Sequence, residues 1–480
     1  MELQLERPHL YLDGQWRSPS DGSEHVLIEA STGEPLGTAA LAGPADVDAA
    51  VSAARSALTG AWARLSPVER GEAITRFAAE LKSRSRSTAA LVSRENGMPI
   101  SLSGIVNGLA PAMIASYYGR LAAGLVLEEE RPSPTGGSTL VVRQPVGVIA
   151  AVTPWNYPQA LAIMKIAPAL AAGCTLVLKP PPETALDAMV FADAAEAAGL
   201  PPGVLNVLPG GREAGAHLVA HPGVDKVAFT GSTGAGRMIG ESSGRLLRPV
   251  SLELGGKSVS LVLPDANLDL FAAKLLEVSL PNNGQTCHAA TRILAPRNRY
   301  DEVVEAVTET VARLTIGDPL DPATQIGPLV SALQRDRVLD YVAKGVEGGS
   351  RLTTGGGRPD RPGWYVEPTV FADVDNASAI AQDEIFGPVL CITPYGDEGE
   401  AIRIANDSDF GLGGVVWSTD QDRALALARR IESGTVGINH YELHVNAPFG
   451  GVKSSGLGRE LGPEGLEPYL TPRSFYLPPA

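Results

Sequence analysis

Hydrophobic and polar positions along this chain follow two periods in turn. Between residues 46 and 122 apolar side chains recur at helical spacing, in alanine-rich amphipathic stretches at 46–57, 67–83 and 87–95. Residues 125–145 break that pattern with acidic, Pro- and Gly-rich sequence, within which 138–143 reads as a β segment. From Val146 the period switches. Strand 146–152, helix 159–172 closed by Gly173, strand 175–179 and helix 184–198 closed by Gly199 and Pro201 come first. Strand 204–208, helix 213–220, strand 226–230 and helix 235–244 continue the alternation. Apolar strands joined by glycine-capped helices predict right-handed crossovers, and hence a parallel sheet covered on both faces.

Such a sheet is the doubly wound, Rossmann-like arrangement that takes nucleotides at the carboxyl edges of its strands. After Leu252 a second α/β pattern begins, with strand 258–263, helix 268–280, strand 293–295 and helix 300–314. More than one core is expected of 480 residues, because a single core stops growing at roughly 250–300. The last segment, 469–480, is partly apolar and punctuated by prolines; with the excursion at 125–145 it can pair with another subunit. No internal repeat or low-complexity tract is present.

Composition narrows the partners. A formal net charge of -15 disfavours nucleic acid and anionic membrane surfaces, since a phosphate backbone needs a basic face. Three cysteines at irregular spacing form neither a disulfide framework nor a zinc site, and His440 and His444 lack metal-ligand spacing, so no metal is expected. The amino terminus has neither the basic nor the apolar region of a signal peptide, and no run of ~18 or more apolar residues occurs. A soluble, cytoplasmic protein is the expectation.

The cysteines are not equivalent. Cys174 and Cys391 sit in continuous apolar runs that read as buried strands, which makes them packing residues. Cys287 instead ends Asn282-Asn283-Gly284-Gln285-Thr286-Cys287, a polar turn after the apolar run 275–280. A thiolate at a loop edge suits attack on a carbonyl, the plain alternative being one more small buried side chain. His288 follows directly, but neighbouring side chains in an extended segment point apart, which argues against a Cys/His pair.

Other segments offer that nucleophile its partners. Thr153-Pro154-Trp155-Asn156-Tyr157-Pro158 holds Asn156 in a rigid turn, where its amide can bond an oxyanion or simply cap a helix. Glu253, beside Gly255-Gly256 at the junction of the two patterns, has the chemistry of a general base and equally that of a solvated carboxylate. Phe229-Thr230-Gly231-Ser232-Thr233-Gly234-Ala235-Gly236 joins a strand to a helix with glycines and hydroxyls that suit a phosphate; an ordinary capped turn reads the same way. It is neither GxGxxG nor a Walker loop. Lys179, at the carboxyl edge of its strand, can reach a ribose, a phosphate or water.

Together with Glu384-Ile385-Phe386-Gly387-Pro388, Gly437-Ile438-Asn439 and Pro448-Phe449-Gly450-Gly451-Val452-Lys453-Ser454-Ser455-Gly456, these segments resemble the aldehyde dehydrogenase superfamily, in its order and over nearly the whole chain. The resemblance implies NAD(P)-dependent oxidation of a small aldehyde to a free acid, without acylation of CoA. Cys287 would add to the aldehyde, the adduct would pass hydride to the nicotinamide, and water would cleave the thioester. Asn156 and the Cys287 amide would form the oxyanion hole, Glu253 would be the base for deacylation, and Lys165 and Glu460 match proton-relay positions. On the cofactor side, Glu384 would hold the nicotinamide ribose, Lys179 the adenosine ribose and Ser232 the pyrophosphate, with Trp155 and Phe386 beside the nicotinamide. Thr153, Pro154, Pro182, Gly210, Phe229, Thr230, Gly231, Gly236, Leu254 and Gly255 would complete that surface. The implied substrate pocket is Tyr157, Leu161, Met164, Pro281, Thr286, His288, His444 and Phe449. The implied fold is α/β: a Rossmann-like cofactor domain (1–123 and 146–252), an α/β catalytic domain (253–455) and a small β arm (124–145 and 456–480) for a homodimer or homotetramer.

Some positions depart from the family's pattern. Pro182 stands where many NAD-preferring relatives carry a glutamate for the adenosine ribose; without that carboxylate a 2′-phosphate meets less repulsion, so NADP is admitted beside NAD, with Glu183 one residue late. Pro281 replaces a frequent aromatic residue and Met164 a frequent tryptophan, which widens the tunnel. Tyr157 and Phe449 keep its sides aromatic, so an apolar or aromatic aldehyde suits it better than a charged one. Two rival readings are a CoA-acylating enzyme, disfavoured by Glu253, and a catalytically silent protein of this fold, disfavoured by the presence of Cys287, Glu253 and Asn156.

Overall fold

The computed structural model describes residues 3–479; Met1 and Glu2, expected in the cofactor domain, and Ala480, expected in the arm, lie outside the described residues. The alternation that starts at Val146 builds an eight-stranded sheet. Five parallel strands form its centre, in the spatial order Val250–Glu253, Lys226–Thr230, Val148–Val152, Thr175–Lys179 and Leu205–Val207. The chain thus winds outward from Val148–Val152 to one side, then returns and winds to the other. A crevice opens where the direction reverses, at the carboxyl ends of Val148–Val152 and Lys226–Thr230.

Strand residues alternate between two cores. Ile149 and Ala151 pack with helices Pro67–Asn96, Ala110–Ala123, Pro158–Ala172 and Ala185–Ala197, whereas Val148, Ala150 and Val152 pack with Pro44–Ala57 and Arg212–Ala220. Burial on both faces explains why these strands read as continuous apolar runs. Antiparallel edges complete the sheet, Leu10–Leu12 and Gln15–Arg17 at one side and Gly456–Leu457 at the other.

Three sequence expectations need correction. Stretches 67–83 and 87–95 are one 30-residue helix, Pro67–Asn96, capped by Ser66 and Glu69 and closed by Gly97 at φ 80°. The serines between them stay helical by donating back to the preceding turn, Ser83 to Glu80 O and Ser87 to Arg84 O, both at 2.8 Å. Residues Ile100–Ala123 form a continuous helical run, with a π turn at Gly104–Leu109, that is long and apolar enough to cross a membrane by length and composition. Ser101, Ser103 and Asn107 hide it from a search for an unbroken apolar run; in this fold it packs across Pro67–Asn96 and Pro158–Ala172. Cys391 lies buried in strand Val389–Tyr395 as expected, but Cys174 is buried in the turn before Thr175–Lys179, not in a strand.

The second pattern forms a seven-stranded sheet in the order Arg351–Thr354, Thr369–Ala372, Val389–Tyr395, Arg292–Pro296, Val259–Val262, Gly414–Trp417 and Gly437–Ile438, parallel except at the first pair. Glu128–Pro132, Ser138–Pro145 and Leu470–Leu477 make a separate antiparallel sheet, in which the carboxyl-terminal strand pairs with the hairpin over eight residues.

Candidate active site

The crevice at the strand reversal is a cleft of about 300 Å³, walled by Pro154, Trp155 and Asn156 on one loop, by Thr230, Gly231 and Ser232 on the next, and by Leu254, Gly255, Glu384 and Phe386 opposite. Cys287 opens into it. After helix Leu268–Ser279 the chain turns through Asn282 (φ 51°), Asn283 (φ 60°) and Gly284 (φ 76°), three successive left-handed residues. Asparagine tolerates that region better than other non-glycine residues. Buried amides then pin the turn: Asn283 Nδ2 donates to Gly97 O at 2.9 Å and Pro328 O at 2.8 Å, while its Oδ1 accepts from Gly327 N at 2.7 Å. Residues 282–286 are buried and Cys287 emerges half-buried.

Asn156 and Tyr157 are fastened to that loop. Asn156 Nδ2 donates to Gln285 O at 3.1 Å, which uses one of its two hydrogens. Tyr157 Oη lies 2.7 Å from Thr286 Oγ1, and Thr286 itself donates to Pro281 O at 2.9 Å, so the tyrosine is the donor in that pair. The Cys287 N–H is not used by any other group of the described residues. Burial pushes the Cys287 thiol up, reinforced by Glu384 and Glu253, while the His288 and Cys287 N–H groups pull the other way.

Glu253 ends strand Val250–Glu253 with both carboxylate oxygens buried and without partners. Burial, and then Glu460, hold it well above the usual carboxylate range, against Lys165 and Arg459. Lys165 is fully buried and donates to Glu460 Oε1 and Thr230 Oγ1, each at 2.6 Å. His288 stacks on Tyr441 at 4.9 Å and meets Phe449 edge-on at 6.0 Å. Burial pushes it down to about 4, and no hydrogen bond joins its ring to Cys287 among the described residues. Leu161, Met164 and Phe449 are buried in the core that Cys287 and Tyr157 border; Pro281 is half-buried, and His444 remains exposed on its loop.

On the dinucleotide side Lys179 Nζ donates to Gly210 O at 2.9 Å, and burial pushes it down to about 8, with Glu183 opposing. Pro182 starts a short 3-10 turn and Glu183 is exposed. Thr153 is buried at the end of Val148–Val152. Glu384 Oε1 accepts from Gly256 N at 2.9 Å, and burial raises its carboxyl to about 7. Phe386 has φ 63°, rare for so large a side chain, and meets Trp155 edge-on at 5.4 Å. Two residues absent from the sequence reading hold this loop: Gln334 Nε2 donates to Phe386 O at 2.8 Å, and an Arg337 guanidinium nitrogen donates to Glu384 O at 2.7 Å. Both lie on the ordinary amphipathic helix Ala332–Glu347, which carries no motif.

The aldehyde dehydrogenase family model matches residues 16–475. This chain belongs to the aldehyde dehydrogenase family. It is similar to the geranial dehydrogenase of Castellaniella defragrans, 54% identical over 477 residues that cover 99% of this chain and 100% of that one. Among solved structures it is similar to a Mycobacterium tuberculosis aldehyde dehydrogenase complexed with NAD+, 45% identical, with a TM-score of 0.96 and 98% of each chain covered. It is also similar to a cysteine-to-alanine variant of aldehyde dehydrogenase C from Pseudomonas syringae in complex with NAD+ and octanal, 38% identical, TM-score 0.93, covering 97% of this chain and 96% of that one.

The protein is therefore an NAD(P)-dependent aldehyde oxidoreductase, and the residues of this aldehyde dehydrogenase fit a dinucleotide. A Cβ at Gly231 would collide with the Phe229 ring, one at Gly236 with Leu254, and one at Gly255 with the Glu384 carboxylate. Glycine at these positions lets Phe229, Leu254 and Glu384 pack closely around the cleft, which Gly231 and Gly255 line. Ser232 accepts from Ala235 N at 3.3 Å and opens helix Thr233–Arg245, whose first amides suit an anion.

Proposed function

We propose that Cys287 is the nucleophile, that Asn156 Nδ2 and the Cys287 N–H are the oxyanion donors, and that Glu253 activates the hydrolytic water. The supporting observation is the meeting, in one region, of a half-buried thiol, an amide with one hydrogen unused and a buried carboxyl without partners. The thiol gives up its proton to water, the thiolate sulfur adds to the aldehyde carbon, and the two N–H groups take the charge that forms on oxygen. Glu384, Lys179 and Ser232 would hold the dinucleotide, which when bound supplies the hydride acceptor that turns the adduct into a thioester. Glu253, once ionised, draws a proton from water as that water cleaves the thioester, returning the thiol and releasing the acid. Lys165 and Glu460, joined at 2.6 Å, set the charge that Glu253 feels.

The substrate proposed is an apolar or aromatic aldehyde, supported by the walls at Tyr157, Leu161, Met164 and Phe449. Geranial, in the name of the Castellaniella relative, and octanal, in the Pseudomonas complex, belong to that class. The test is nicotinamide reduction across an aldehyde panel, with products analysed with and without CoA. Free acid in both cases supports the reading; an acyl-CoA product, or no reduction with any aldehyde, overturns it.

NAD and NADP are both proposed as acceptable. Replacing Pro182 by glutamate is expected to raise the KM for NADP about tenfold and that for NAD far less, since a carboxylate near a 2′-phosphate adds repulsion of about 1–2 kcal/mol. Equal changes in the two values would place the ribose elsewhere. Glu384 makes a pH prediction. Its carboxyl titrates at about 7 and the ionised form is the better acceptor for ribose hydroxyls. Cofactor affinity is therefore expected to rise about tenfold from pH 6 to pH 8, and Glu384→Gln to flatten the profile measured by equilibrium titration.

The reading divides the chain as the sequence suggested, with 1–123 and 146–252 carrying the dinucleotide, 253–455 the nucleophile and 124–145 the oligomer contacts, except that within 456–480 only the strand Leu470–Leu477 joins that arm, Gly456–Leu457 being an edge of the cofactor sheet and Glu460 being buried against Lys165. Exposed Val126, Phe475, Tyr476 and Leu477 on or beside the arm support a homodimer or homotetramer. Three unpaired cysteines support a cytoplasmic location.

A further inference from the structure

The backbone carbonyl of Asn156 receives two side-chain amides, Asn282 Nδ2 at 2.9 Å and Asn96 Nδ2 at 3.1 Å. Asn96 also donates to Trp155 O at 3.0 Å, and its own Oδ1 is held by Met98 N at 3.0 Å. The oxyanion loop is thus gripped by its backbone from two separate elements. Asn282 comes from the nucleophile loop itself. The bond it makes runs opposite to the one from Asn156 Nδ2 to Gln285 O, so residues 156 and 282–285 close a ring of reciprocal amide bonds. Asn282 Nδ2 also reaches Gln285 O at 3.4 Å, so one carbonyl gathers both amides.

We propose that Asn282 is a positioning residue that orients the Asn156 amide toward the oxygen of the bound aldehyde; the inference rests on the oxyanion role given to Asn156. Its Oδ1 is buried without a partner, an unfavourable state the fold tolerates for the sake of the N–H. Its left-handed backbone, φ 51° and ψ 46°, turns the side chain from the nucleophile loop back onto residue 156. An oxyanion donor works only within a few tenths of an ångström of its place, and fixing both the backbone and the side chain of Asn156 to the loop that carries Cys287 meets that tolerance.

A purely conformational role, in which asparagine serves only the left-handed turn, predicts otherwise. Glycine adopts that turn at least as readily but brings no amide. Asn282→Gly and the isosteric Asn282→Asp are both expected to lower kcat about 10- to 100-fold, the size of effect that misplacing a reacting group produces. Dinucleotide affinity and the rate of Cys287 alkylation by iodoacetamide should stay within about twofold of the wild type, and the thermal midpoint of Asn282→Gly should fall by only about a few degrees. In an Asn156→Ala background, Asn282→Gly is expected to cost nothing further, because the group it orients is gone. Wild-type kcat in Asn282→Gly, or losses that multiply in the double variant, would overturn the inference while leaving the oxyanion role intact. Wild-type kcat in Asn156→Ala would instead overturn the oxyanion role itself.

Discussion

With Cys287 replaced by alanine, aldehyde-dependent nicotinamide reduction is expected to fall by about 10⁴-fold or more, while the dinucleotide still binds. The size follows from the proposed covalent catalysis: if Cys287 supplies the attacking atom, removing it deletes the pathway and leaves only binding and the proposed oxyanion donors. No second thiol can substitute, since Cys174 and Cys391 are each buried in a core away from the cleft. Cofactor affinity should persist because the surface proposed for the dinucleotide, with Lys179, Ser232 and Glu384, does not use the sulfur. Equilibrium titration with the dinucleotide and a turnover assay on one preparation measure both. Turnover above roughly one hundredth of the wild type would move the nucleophile elsewhere.

The fold was most legible where strands are buried on both faces. Strands 175–179 and 226–230 coincide with Thr175–Lys179 and Lys226–Thr230 because each is a continuous apolar run bounded by polar or glycine residues. The amino-terminal strands Leu10–Leu12 and Gln15–Arg17 pair with each other across Asp13-Gly14, both residues at positive φ, so that hairpin was open to local reading and went unread; what no local pattern carries is its docking on Leu205–Val207, nearly two hundred positions away. The single helix Pro67–Asn96 was divided in two because polarity at its middle imitates a turn, whereas those hydroxyls bond back along the helix.

At the site, legibility followed chemical type. A cysteine after a polar turn, an asparagine between prolines and a carboxylate beside paired glycines each stand out from their surroundings. Gln334 and Arg337 do not, because they occupy positions on a surface helix that any polar residue suits, and their work comes from the approach of the 384–386 loop. Asn96 likewise reads as the end of a helix, with its grip on residues 155 and 156 arising only on folding. The bond from Tyr157 to Thr286 spans 129 positions and turns a tunnel tyrosine into a tether, which no local pattern reveals.

Glu253→Gln is expected to separate the two halves of the reaction. Burial and then Glu460 raise the Glu253 carboxyl well above the usual range, so glutamine keeps the shape of its protonated form, and attack by Cys287 should proceed almost unchanged. What glutamine cannot do is ionise and take a proton from water. Rapid mixing with aldehyde and dinucleotide should therefore show a burst of about one reduced nicotinamide per site, followed by steady turnover lower by about 10²–10⁴-fold, the usual worth of a general base. The sign of the pH dependence follows from the same carboxyl. Because its titration lies above the usual range, deacylation in the wild type should quicken as pH rises and Glu253 ionises, and that slope should vanish in the variant. A loss of rate without a burst would mean that acylation had slowed, and the base for water would then have to be sought away from Glu253.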